Sequence, residues 1–584
     1  MTTEYTALVD FSAPEGHGPR LRCAFGTPRA RLVAHAPEQV RGVLDAVQAH
    51  ALAGQWCVGY VRYEAAAAFD TALSVHAADG PLAWFAVYDA ALPWPDAAPA
   101  ADQAWCVEWD AGLDRGAFDA ALSKVSQAIA AGELYQVNFT SPIAGHWRGQ
   151  ASADALFAAL QRAQPGGYAL RLDTGAEQVL SVSPELFFDW QDQRLLTRPM
   201  KGTAPRGATP AEDEALRTAL QTAPKERAEN VMIVDLLRND VSRIAEPFSV
   251  KVPHLFRTQA LPTVWQMTSD VQARTRAGTT LYEVFAALFP CGSVTGAPKV
   301  QAMRMLRALE PQPRGIYCGA LGIVQPGGRA TFNVPIRTVV LTGAQARCGI
   351  GSGVVADSAP DAEWHEWQHK RAFLDRSSAP FDLLETFSLR DGVAPQRQAH
   401  LARMATAAAH FGYPLDLATV DACLTRLFAQ HPSGLWRVRL TLDRFGRPSA
   451  TAAAQPEPGL APVPLQLAAR PFLAAASEFV RFKTTRRAHY DAFAPPDGVF
   501  DTLLWNQRGE VTEGTRCNVA VKLAGQWRTP PVHCGLLAGI GRAQWLRKAR
   551  VTEAIVRVED LEAAEQVAVF NSLRGWMPAR LVRT

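Results

Sequence analysis

Short apolar and β-branched runs, among them LLTRPM at 195–200, ALGIVQ at 320–325 and IRTVVLT at 336–342, alternate in the first two thirds of the chain with stretches of helical periodicity. The last third repeats the mixture, with helices predicted around 397–430 and strands such as LWRVRLTLD. Both parts therefore read as α/β, in the broad sense that includes α+β. Thr222, with Pro224 just behind it, marks the start of a helix through KERAENVMIVDLLRND, and another helix is predicted from near Ser358. RSSAP, 376–380, breaks the pattern between AEWHEWQHKRAFL and FDLLETFSLR. We place the domains at 1–375 and 381–584, with 376–380 as linker; LPWPDAAPAAD, 92–102, reads as an internal loop.

Length and composition narrow this picture. The 584 residues, 48% hydrophobic and 20% charged, exclude a single small module and a disordered chain. A net charge of +3 argues against a nucleic-acid or membrane-surface partner. No basic-then-apolar leader or long apolar span is present, which predicts a cytoplasmic protein. Nine cysteines without a C-x-x-C pair fit a reducing compartment rather than a disulfide framework or zinc site.

Two helices each carry an E-x-x-E ridge: Glu226 and Glu229 on the first, Glu363 and Glu366, with Lys370 beyond them, on the second. Alone, each ridge reads first as a solvated face with local ion pairs. Clustered carboxylates are also what Mg²⁺ takes as hard oxygen ligands. In FPCGSVTGAPKVQAM, residues Gly292, Ser293, Thr295 and Gly296 precede a helix, a place that favours a carboxylate or phosphate. The spacing is not that of a P-loop. GIGSGVV, 349–355, permits close backbone approach or is a bulged strand. Tyr317 offers a hydroxyl and Arg337 a carboxylate fork, while a core position remains open for Tyr317.

SVSPELF, RPMKGTAPRG, KERAENVMIVDLLRNDVSRI, FPCGSVTGAPK, RGIYCGALG, FNVPIRT and GIGSGVVADSAPDAEWHEWQHK, in this order, resemble the motifs of the chorismate-utilising enzymes over roughly residues 55–375. The resemblance implies a large domain of packed antiparallel sheets around a cleft and a Mg²⁺ site from Glu229, Glu363 and Glu366. It also implies substrate contacts from Gly202, Thr203, Tyr317, Arg337, Gly351, Gly353 and Lys370. Water-adding relatives carry a lysine base where this chain has Gln136, and a neutral amide cannot abstract that proton. Lys201 in P-M-K-G-T, where anthranilate-forming relatives have alanine, resembles the aminodeoxychorismate-forming members. There it implies a nucleophile; a structural ion pair is the plainer use of a lysine. Gln266 and Asn230 stand where relatives often have histidine. GYVRYEAAAAFD, 59–70, resembles the part that holds a regulatory amino acid in relatives. No G-x-C-x-G nucleophile motif is present, so ammonia is expected from a separate glutaminase subunit.

FDLLETF, HLARM, FKTTRRAHYD, VTEGTRCNVAV, GLLAGIGR and NSLRGW resemble the fold-type IV pyridoxal-phosphate enzymes, commonly dimeric, which include aminotransferases and aminodeoxychorismate lyase. The resemblance implies Lys483 as the lysine that links to the cofactor, Glu513 at its ring nitrogen, and Arg403 with the Ile540 and Gly541 N–H groups at its phosphate. Gly541 departs from a threonine frequent in relatives. The expectation is a chain that aminates chorismate and then eliminates pyruvate to give 4-aminobenzoate for folate. The rivals are an anthranilate-forming synthase with an accessory aminotransferase, or with a non-catalytic C-terminal module.

Overall fold

Successive residues of the strand Trp56–Val61 serve two different cores: Val58 and Tyr60 face one way, Cys57 and Val61 the other, and all four are buried. A strand covered on both faces carries no polar face, which is why these runs read as continuously apolar. The computed structural model describes residues 5–582 except 15–17, 96–104, 150–151, 208–209, 261–263, 458 and 460, and the chain divides into the units Met1–Pro380 and Phe381–Thr584.

In the first unit, two sheets of nine and ten strands among the described residues pair throughout in antiparallel fashion. Their facing surfaces interdigitate through Val9, Phe11, Leu170 and Leu172 from one sheet and Val58, Tyr60, Leu321 and Ile323 from the other. Helices Arg115–Ala130, Ala153–Ala163, Lys299–Leu309 and Pro360–Ser377 cover the outside of the first sheet. Helices Pro37–Leu52, Pro224–Ser242 and Leu281–Leu288 cover the second. Each fully buried Val, Leu or Phe contributes about 1.5–3 kcal/mol, so the long cores fix the strand registers on which the site depends.

The long strand Gln136–Gly149 pairs along its length with Gln345–Val355, placing Gln136 opposite Val355 and Asn138 opposite Gly353. At the edge of the other sheet, Met200–Pro205 pairs with Val264–Arg274.

Three boundaries differ from the sequence reading. Thr222 ends the preceding helix, Pro210–Thr222, and Pro224 opens the next behind Ala223. Ser358 does not cap the helix Pro360–Ser377; its hydroxyl turns to Glu363 instead. Arg376 and Ser377, assigned to the linker, belong to that helix, because Ser377 is buried and its hydroxyl bonds back to Leu374 O. Within the segment read as an internal loop, Leu92 bridges to Ala24, and residues 96–102 lie outside the described residues.

Among the described residues, the second unit has a three-stranded antiparallel sheet, Leu383–Arg390, Leu435–Leu442 and Pro448–Ala454, and an eight-stranded mixed sheet whose strand Val463–Leu467 is parallel to both neighbours. All nine cysteines are unpaired, seven of them buried. No helix among the described residues is long and apolar enough to cross a membrane.

Candidate active sites

Three strands and one turn bring Gln136, Lys201, Gly353 and Ser293 together in the first unit. The Gln136 side chain is 0% exposed, yet neither its Oε1 nor its Nε2 has a hydrogen-bond partner. A Cβ added to Gly353 would lie 2.4 Å from Gln136 Nε2 and 3.0 Å from Lys201 Nζ. Lys201 Nζ donates to Ser293 O at 3.3 Å, and Ser293 Oγ donates to Glu185 Oε1 at 2.6 Å. Gly296 and Ala297 are engaged in strand pairing with Val137 and Gln136, so Ser293 is the residue of that turn that reaches the centre.

Glu185 lies inside the SVSPELF motif but was not singled out from sequence. Burial pushes its carboxyl up to about 7, against the opposing pull of the Ser293 hydrogen bond and the Lys201 charge. It thus holds a proton near neutral pH, an acid beside an amine.

The acidic residues stand within electrostatic reach of this centre. Burial raises Glu229 to about 6; Lys201 pulls it down, while Glu226 and Glu363 push it up. Glu226 is raised in the same way, by burial first. Glu366 is lowered, because Lys370, at 2.6 Å, outweighs burial. Glu363 accepts from Ser352 Oγ and Ser358 Oγ, both at 2.7 Å. Among the described residues no three such side chains stand in a metal-ligating group. The set Glu229, Glu363 and Glu366 is therefore not assembled as ligands, since Lys370 and two hydroxyls hold its oxygens. Its chemistry nonetheless suits a hard dication: Glu229 is desolvated and repelled by Glu226 and Glu363, and it has no ion-pair partner among the described residues.

Lys370 also donates to Gly351 O at 2.9 Å. Gln266 Nε2 donates to Gly202 O at 2.9 Å, and Thr203 pairs with Gln266, so the residue in the histidine position braces the Lys201 strand. Asn230 accepts from Ser269 Oγ at 2.6 Å. Arg337 donates to Gln164, and burial lowers its guanidinium to about 10. Among the described residues it has no acidic partner, which suits an anion. The Tyr317 ring lies against Gly349, and burial raises its hydroxyl far above the usual range. Neither Tyr317 nor Arg337 bonds to Lys201 or Gln136.

Behind the centre, the buried Arg314 donates to Val294 O at 2.7 Å and to Asn138 O at 2.8 Å, and is neutralised by Glu310 at 2.7 Å. One side chain thereby joins the Ser293 turn to the Gln136 strand.

In the second unit, burial lowers the Lys483 amine to about 8; Glu385 opposes this, and Arg403 and Arg487 reinforce it. Glu513 is buried, accepts from Tyr490 OH at 2.7 Å and Leu537 N at 3.1 Å, and is raised by burial to about 8. Among the described residues it has no ion-pair partner. Arg403 is held by Glu385 through two bonds, Nε to Oε1 at 2.8 Å and Nη2 to Oε2 at 2.6 Å. Its Nη1 reaches Ala538 O at 3.4 Å, just before the helix Ile540–Arg547. Burial would raise Glu385, but Arg403 and His400 hold it at about 2. Sequence reasoning passed over Glu385, although it lies in the quoted FDLLETF run. A Cβ on Gly541 would lie 2.7 Å from Asn571 C and 2.9 Å from Ser572 N, so close backbone packing explains the glycine.

Comparisons with known proteins agree with this division. Residues 382–582 match the family model for amino-transferase class IV. Aminodeoxychorismate synthase component 1 of Klebsiella aerogenes is 40% identical over 260 residues, 44% of this chain and 57% of that protein. Anthranilate synthase component 1 of Methanothermobacter thermautotrophicus is 38% identical over 249 residues, 43% of this chain and 53% of that protein. The chain thus spans little more than half the length of these curated relatives. The crystal structure of anthranilate synthase component I from Streptococcus pneumoniae shares the fold, with a TM-score of 0.51 and 23% identity over 64% of this chain and 90% of that one. Residues 11–376, well over half of the chain, match the family model for chorismate binding enzymes, and the chain belongs to that family.

Proposed function

We propose that the first unit aminates chorismate to 4-amino-4-deoxychorismate and that the second eliminates pyruvate from this product, giving 4-aminobenzoate for folate synthesis. The observation that carries the first half is the unpartnered Gln136 amide beside Lys201, which Ser293 links to Glu185. Lys201 Nζ attacks ring C2, both conjugated ring double bonds shift toward C4, and the C4–O bond breaks as Glu185 gives its proton to the departing hydroxyl. Ammonia then attacks C4, both double bonds return to their places, and the bond from C2 to Lys201 breaks. Gln136 cannot serve as a base toward water, which leaves ammonia as the entering group.

Arg337 and Lys370 bind substrate carboxylates, with Tyr317, Gly202, Thr203 and Gly351 completing the cleft. Glu229, Glu363 and Glu366 would hold Mg²⁺, which neutralises a substrate carboxylate when bound. The name component 1 among the relatives supports a separate glutamine amidotransferase as the ammonia source.

In the second unit, a buried carboxyl without a cation, Glu513, fits a protonated ring nitrogen, and the depressed Lys483 amine fits an aldehyde. These residues suit pyridoxal phosphate, which supplies an electron sink when bound. Arg403 and the N–H groups of Ile540 and Gly541 would hold its phosphate. Lys483 Nζ takes the proton from the amine-bearing carbon and returns it as the C–O bond to pyruvate breaks and the ring becomes aromatic.

The similarity to anthranilate synthases favours a second reading, an anthranilate-forming enzyme with an aminotransferase domain. One experiment separates the two: purified protein receives chorismate, ammonium and Mg²⁺, with and without pyridoxal phosphate, and products are identified by mass. 4-Aminobenzoate with pyruvate is expected; anthranilate would overturn the reading.

A further inference from the structure

Beside Lys483 in the second unit is a cavity of about 360 Å³, lined by Arg437, Arg487, Arg516 and Arg574 against a single carboxylate, Asp491. That volume is within the ordinary range for a small-molecule pocket. Arg487 is spoken for, since it donates to Thr515 O and lies 4.6 Å from the Tyr490 ring. Arg437, Arg516 and Arg574 form no ion pair among the described residues, and the Arg574 guanidinium lies 5.6 Å from the Phe500 ring. Arginine stays charged at any physiological pH, so this is an excess of fixed positive charge, and the proposed cofactor-phosphate ligand, Arg403, does not line the cavity.

The loops that carry two of these arginines are tied together. Asn571 Nδ2 donates to Arg516 O at 3.4 Å, while Asn571 Oδ1 accepts from Arg574 N at 2.8 Å. The Asp501 carboxylate fixes the first loop from behind, accepting from Thr515 N at 2.9 Å and Arg516 N at 3.1 Å. Backbones are thus fixed and guanidinium groups left available, an arrangement suited to bidentate carboxylate recognition.

We propose that this cavity takes an amine bearing two carboxylates, with Arg516 and Arg574, aided by Arg437, reading the charge that a monocarboxylic amino acid lacks. The inference rests on the lyase reading above and deepens it, because the product assigned to the first unit carries two carboxylates and one amine.

The test uses the full chain loaded with pyridoxal phosphate and follows the cofactor's absorption while benzene-1,3-dicarboxylate or benzoate is added. The dicarboxylate is expected to bind at least about ten-fold more tightly, each added charged contact being worth roughly one such factor. Arg516→Gln and Arg574→Gln should each weaken the dicarboxylate by about ten-fold, change benzoate by less than about three-fold, and leave cofactor affinity unchanged. Arg516→Lys and Arg574→Lys, which keep the charge but lose the fork, should fall between. Equal affinity for the two acids, or loss of the cofactor in the variants, would overturn the proposal; the latter would assign these arginines to the phosphate. Pyruvate release from 4-amino-4-deoxychorismate by the parent tests the lyase reading separately. If no cofactor band forms, that reading fails, and calorimetric titration of parent and variants with the same two acids still decides the two-anion site.

Discussion

The carboxamide of Gln136 lies against the bare face of Gly353, where one methyl group would come within 2.4 Å of its Nε2. The obstructing atoms are the free ends of side chains rather than backbone, so they can yield. Gly353→Ala should therefore fold, with a stability loss inside the roughly 1–3 kcal/mol of overpacking. Displacing Gln136 and Lys201 should nevertheless cost amination about 100-fold, as ångström-scale misplacement does. Thermal unfolding alongside steady-state amination rates checks the split; equal losses in both would refute it.

Glu185 gives the first reaction a pH signature. Its folded value, about 7, is above the usual 4.5, so the folded state holds a proton that the unfolded chain releases in between. Its contribution to stability is full below about 4.5 and lost as pH rises through about 7. At constant free ammonia, amination should decline above about pH 7. Glu185→Gln should remove that decline, lower the rate by about 10²–10⁴, and unfold at a higher temperature than the parent at pH 8.

The two lysines should separate the reactions. Lys201→Ala is expected to abolish or divert chorismate amination while supplied 4-amino-4-deoxychorismate still yields pyruvate. Lys483→Ala should let that intermediate accumulate. Mass analysis of both product mixtures checks each assignment, and pyruvate release by Lys483→Ala at the parent rate would sink the second.

Restoring the threonine common among fold-type IV enzymes should do harm here. Gly541→Thr places a Cβ 2.7 Å from Asn571 C, against backbone that cannot rotate away. Cofactor affinity should fall by about ten-fold or more despite the added hydroxyl, read by absorption titration. Tighter binding would show that the loop gives way.

The apolar runs revealed the strands because sheets covered on both faces leave no polar face to read, and the motif residues Gln136, Lys201 and Gly353 do meet at one point. What the sequence hid was environment. Glu185, between two strands, and Glu385, within one, look like any carboxylate until burial sets the first near 7 and adjoining Arg403 and His400 set the second near 2. Ser358 read as a helix start because serine favours that position; its hydroxyl instead bonds Glu363, a choice made by tertiary packing. The pairing of Glu366 with Lys370, by contrast, is legible in their i,i+4 helical spacing.

Arg314 lies behind the residues proposed to meet substrate, yet it holds two pieces of the first unit's candidate centre at their separation. Lysine there would keep the charge and lose the fork. A lysine variant that still folds would pass a screen scoring abundance alone, whereas one scoring product would record it as impaired. Inherited or engineered changes at this position would then resemble lesions of the chemistry itself, although the altered atom is one layer behind it.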